Sequence, residues 1–159
     1  MSIPFPRTSP RVIKDAPDHH DAELLLRLYE LRREPLMREA RRYMTAEFWP
    51  QSAEELLAHT KSDHPSNAAY RQVSSYWEMA YGMARHGIVN PDYLADFAGE
   101  GIFIFAKVEP YLAPLRQVRG PRDFRNAEWI AGNCESGREL LQMYRQRVES
   151  ALAARKKRG

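Results

Sequence analysis

The sequence predicts an all-α fold: a single-domain bundle of six to eight helices, one of them bent at Pro110. Three observations carry this. Apolar residues recur at steps of three and four in one segment after another. Helix-starting Asp, Ser, Asn and Pro residues, and a helix-stopping glycine, punctuate those segments at the right places. Only Ile102 to Ala106, in "IFIFA", has the β-branched and aromatic character of a buried strand, and no second such run exists to pair with it. An isolated strand leaves its backbone hydrogen bonds unmade, so this stretch is assigned to a helix.

Residues 1–17 carry Pro4, Pro6, Pro10 and Pro17 and read as an extended arm. The helical domain follows over residues 18–154, and residues 155–159 form a basic tail. Asp18 is the expected N-cap of the first helix, with Asp21 and Glu23 in its first turn, where acids favour the helix dipole. Leu24, Leu25, Leu26, Leu28, Tyr29 and Leu31 make that helix apolar around most of its circumference, which predicts packing on two sides. Pro35 suits the first turn of a second helix. There Leu36, Met37, Ala40, Tyr43, Met44 and Phe48 share a stripe. Ser52 and Glu55 form a capping box.

Ser66 opens the longest periodic segment. Tyr70, Val73, Trp77, Ala80, Tyr81 and Ala84 lie on its core face, and Gly87 ends it. Asn90 and Pro91 start the next helix. Further on, Asp123 is the expected cap of a short helix through Trp129. Ser136 and Glu139 read as a second capping box, before a last helix that turns Leu141, Tyr144, Val148 and Leu152 to the core.

The 43% hydrophobic content of the 159 residues is globular and sufficient for one core. The longest apolar run falls far short of the roughly 20 residues a membrane span needs. The N-terminal stretch lacks an apolar leader core, so no signal peptide is expected. One cysteine, Cys134, permits no internal disulfide, and a reduced, cytoplasmic setting follows as the expectation.

The segment Ser75 to Arg116 carries a pattern: Tyr76, Trp77 and Glu78 on a helix, then Gly87 and Ile88, the short acidic helix Asp92 to Phe97, the Gly-aromatic stretch Gly101 to Phe105, Pro110 and Arg116. In this it resembles the small helical bacterial proteins grouped as a domain of unknown function. The resemblance extends from about Asp21 to Val148. It implies an all-helical fold and brings no activity, cofactor or catalytic residue with it.

Four groups of residues could carry chemistry. In "DHHDAE", His19, His20, Asp21 and Glu23 are metal-ligand types at helical spacing. A second ligand group would have to come from elsewhere, and the polar start of a helix is the favoured reading. Arg38, Arg41 and Arg42, together with Arg155, Lys156, Lys157 and Arg158, could contact nucleic acid. Interleaved Glu30, Glu34 and Glu39 favour a solvated face instead. Glu78, if buried, needs a partner, and an internal pair with Arg116 is expected. Cys134 has no histidine base nearby in sequence and reads as inert.

No phosphate-cradling loop or hydrolase motif occurs. The expectation is a non-enzymatic helical module that binds no cofactor and acts by self-association, as a homo-oligomer, or by binding a protein partner. Nucleic-acid binding and a metal-dependent enzyme using His19, His20 and Asp21 are the alternatives.

Overall fold

The computed structural model describes residues 12–159. Helices α1 (His19–Arg32) and α2 (Pro35–Arg42) lead into a π-helical turn, Tyr43–Glu47. Helices α3 (Ala53–His59), α4 (Asn67–Arg85), α5 (Pro91–Phe97) and α6 (Glu100–Val108) follow. A 3-10 turn, Glu109–Tyr111, separates α6 from α7 (Leu112–Arg119), and α8 (Arg125–Asn133) and α9 (Glu135–Arg158) complete the bundle. There is no strand among the described residues, so the all-α expectation holds. The bend expected at Pro110 is the 3-10 turn, where proline removes one intrahelical donor. α9 continues through the basic residues, so the domain drawn to residue 154 and the tail drawn from 155 share one helix. Of the expected arm, residues 1–11 lie outside the described residues.

The former strand candidate is the centre of the molecule. Every residue of α6 from Gly101 to Val108 is buried. The helix is covered by α9 and α8, while α4 packs against α8 and α2. All six expected core residues of α4 are buried. Gly101 lets the start of α6 meet α4 closely: a β-carbon there would fall 2.6 Å from both Trp77 Cγ and Tyr81 Cε2. Those two rings stack at 5.6 Å. The Tyr81 hydroxyl donates to Ala98 O (2.7 Å) and accepts from Ile102 N (3.1 Å), an amide it shares with Gly99 O at the start of α6.

Several expected caps form. Asp18 accepts from His20 N and Asp21 N, Ser52 from Glu55 N, and Asn90 from Tyr93 N. Gly87 takes the left-handed conformation expected after α4, with φ +74°.

Two expected caps are corrected. Asp123 does not cap α8, because its carboxylate pairs with Arg119 (2.7 Å) and the residue before the helix is Phe124, in a left-handed conformation. The cap comes from α4 instead: Glu78 accepts from Asn126 N (3.0 Å) and Ala127 N (2.8 Å). The Ser136–Glu139 box also gives way. α9 starts earlier, with the Cys134 thiol accepting from Gly137 N at 3.3 Å, and Ser136 N donates to Asp92 Oδ1 at 2.8 Å. In α2, Leu36 is exposed while the rest of its stripe turns inward.

Candidate functional site

The first turn of α1 separates the four metal-candidate residues. His19, His20 and Glu23 face solvent, whereas Asp21 is fully buried. Asp21 pairs with Lys14 Nζ (2.5 Å) and accepts from Asn90 N (2.9 Å). Asn90 Nδ2 in turn donates to Lys14 O at 2.8 Å. Residues 12–17 are thereby fastened to the turn between α4 and α5. Lys14 also pairs with Asp18 at 2.9 Å, and this hydrogen bond holds the Asp18 carboxyl down at about 2. Asp21 is thus a structural latch. Among the described residues no group of three or more His, Cys, Asp or Glu side chains is arranged to hold a metal.

The arginine candidates also divide. Arg41 turns inward and grips Glu100 with Nε (3.0 Å) and Nη2 (2.5 Å), while Arg32 adds Nη2 at 3.2 Å. Glu100 is therefore the joint between α1, α2 and α6. Only its place in "GEG" before an apolar run marked it in the sequence. Arg42 pairs with Glu47 at 2.6 Å, and Arg38 is exposed with no ion pair among the described residues. Arg155 lies over the Trp49 ring at 4.7 Å and donates to Ala46 O at 3.2 Å. Lys156, Lys157 and Arg158 are exposed on the same helix.

Below Arg155 lies a buried cation that sequence reasoning missed. Lys107 Nζ donates to three carbonyls around the π-helical turn: Met44 (2.9 Å), Thr45 (3.0 Å) and Phe48 (2.9 Å). It also sits 3.9 Å from the Trp49 ring centre and 4.5 Å from that of Phe103. Burial, with Arg155 and Arg147 nearby, draws the Lys107 amine down to about 7. Its three donors match three carbonyls that the π-helical turn and its exit leave pointing the same way, so its place is structural.

Glu78 and Arg116 do not pair directly. The glutamate serves α8, and Arg116 forks onto Glu128 (3.2 Å) while donating to Asp123 O (3.1 Å). Burial pushes the Glu78 carboxyl up, and the two amide donors offset part of that rise. Burial likewise pushes the Cys134 thiol up to about 11, which disfavours the thiolate and so the nucleophile.

α1 exposes charged residues outward, Glu23, Arg27 and Glu30, with apolar residues on either flank. The helix lies at the edge of the bundle, against α5 and α2, with Leu25 and Leu28 buried beneath it. Leu26 is 66% exposed, Leu31 47% and Tyr29 38%, and Leu24 is half-buried. Tyr29 donates to Phe97 O at 2.6 Å, which brings the 52% exposed Phe97 of α5 beside it. Packing on two sides, expected from the leucine run, is packing on one side within a single chain.

These features define an all-helical domain with exposed apolar residues on the flanks of α1 and internal polar joints. No helix of the described residues is long and apolar enough to cross a membrane. The family model described as Domain of unknown function (DUF4760) matches residues 17–134, and the chain belongs to that family. No curated protein and no solved structure matches it.

Proposed function

We propose that the protein is an interaction module that self-associates through the exposed flanks of α1, with Phe97 of α5 extending the surface. The single observation that carries this reading is the exposure of Leu26, Leu31, Tyr29 and Phe97 on one peripheral helix pair. Apolar side chains grouped in this way favour association.

The occupant that fits is a second copy. An antiparallel α1 centred between Arg27 and Leu28 brings Leu24 opposite Leu31 and Leu26 opposite Tyr29, each on its own flank. The same arrangement brings Glu30 within reach of Arg27 of the other copy, so the charges between the two flanks are paired.

Native mass spectrometry and sedimentation test the proposal. The untagged protein is expected at twice its 18.5 kDa chain mass. Leu26→Glu and Leu31→Glu are expected to give monomers with unchanged helical circular dichroism. A monomeric wild-type protein at high micromolar concentration would sink the reading.

A further inference from the structure

A cleft of 590 Å³ opens between α4 and the connection from α7 to α8. That volume suits a small molecule. Three arginines from three segments line it: Arg71 from α4, Arg119 from the end of α7 and Arg122 from the connection. Arg119 is held by Asp123. Arg71 and Arg122 are exposed and make no side-chain ion pair among the described residues. The other carboxylate at the cleft, Glu78, is turned to the amides of α8. The unspent charge is therefore positive.

Two further observations concern the lining itself. The Ser74 hydroxyl is buried without a hydrogen-bond partner, an arrangement that costs free energy. Phe124 has φ +57°, the one positive φ outside glycine among the described residues. Backbone strain of this kind is about 1–3 kcal/mol and concentrates at binding sites. Here it is held by the buried Phe124 ring, which meets Tyr70 at 6.3 Å.

We infer that this cleft binds a small phosphorylated molecule, with Arg71 and Arg122 on the phosphate. Two free guanidinium groups match the near-dianionic charge and the flat, forked contacts of a phosphate monoester. Gln72 and Ser75, on the same wall, suit hydroxyl groups on the remainder of the ligand. This site shares no residue with the α1 face, so the two proposals stand or fall separately.

The test is a titration of the full chain, followed by amide chemical shifts, with glucose 6-phosphate, glucose and inorganic phosphate as probes. Saturable shifts at residues 71–75 and 122–124 are expected with glucose 6-phosphate and not with glucose. Combined Arg71→Gln and Arg122→Gln is expected to weaken binding by about tenfold or more with an unchanged melting temperature. Absence of shifts at about 10 mM glucose 6-phosphate, or equal binding by the double variant, would overturn the assignment. Inorganic phosphate binding as tightly as the sugar phosphate would reduce the site to one for a bare anion and overturn it as well.

Discussion

Glu78 and Asn126 hold each other reciprocally. The Glu78 carboxylate accepts from Asn126 N at 3.0 Å, and the Asn126 side-chain amide donates back to Glu78 O at 2.9 Å. One residue of α4 thereby fixes both the position and the start of α8. Glu78→Ala leaves the amides of Asn126 and Ala127 without their acceptor. A loss of about 2 kcal/mol is expected, read as a lower urea midpoint with an unchanged slope.

Two glycines in helices should respond with opposite sign. Gly101→Ala drives a methyl group into Trp77 and Tyr81 and is expected to destabilise by about 1–3 kcal/mol. Gly132, near the end of α8, has nothing within 4 Å of a built β-carbon. Gly132→Ala should stabilise by roughly 0.5–1 kcal/mol through helix propensity alone. Thermal melts of the two variants check both directions.

Lys107→Met should lose about 2–4 kcal/mol, because three carbonyls lose their donor together. The pH dependence has a definite sign. The folded amine stands near 7 against 10.5 in the unfolded chain, so the unfolded state binds the proton more tightly between those values. Stability from this residue therefore rises as pH climbs from about 7 towards 10. Chemical denaturation across that range should show the slope in the wild type and a flatter line in the variant.

Asp18 acts with the same sign at a lower pH. Its carboxyl is held at about 2, below the ordinary 3.8, chiefly by the hydrogen bond from Lys14. Its stabilising effect is complete above 3.8 and fades as pH falls through 2. Lys14→Met should return the Asp18 midpoint towards 3.8, as followed by carboxyl NMR shifts.

Leu28 and Leu31 separate core from surface on one helix. Leu28 is 4% exposed and Leu31 47%. Leu28→Glu is expected to unfold the protein or weaken it severely, and Leu31→Glu to leave folding intact. Circular dichroism of the pair distinguishes the roles, whatever the oligomeric state.

The core was legible because burial repeats with the helix period: Tyr70, Val73, Trp77, Ala80, Tyr81 and Ala84 are named by spacing and buried in fact. Local caps such as Asp18, Ser52 and Asn90 were legible too, since donor and acceptor lie within a few residues. Joints between distant segments were not. Nothing local marks Glu78 as the acceptor for amides 48 and 49 residues away, or Glu100 as the anchor for Arg32 and Arg41. Asp123 looked like the cap because it precedes the helix, yet Arg119 is one helical turn before it and takes the carboxylate. In "DHHDAE" the composition suggested one cluster, while the helix turns Asp21 inward and the histidines outward.

The contact between Arg155 and Ala46 spans 109 residues of chain. α9 also lies outside the family match, which ends at residue 134, yet it covers α6. During synthesis the most apolar helix therefore emerges well before its lid. A nascent chain paused before α9 lacks that part of the cover of α6, and the contact closes only once α9 has left the ribosome. Such late, long-range closure slows folding and exposes the growing chain to aggregation or to chaperone capture.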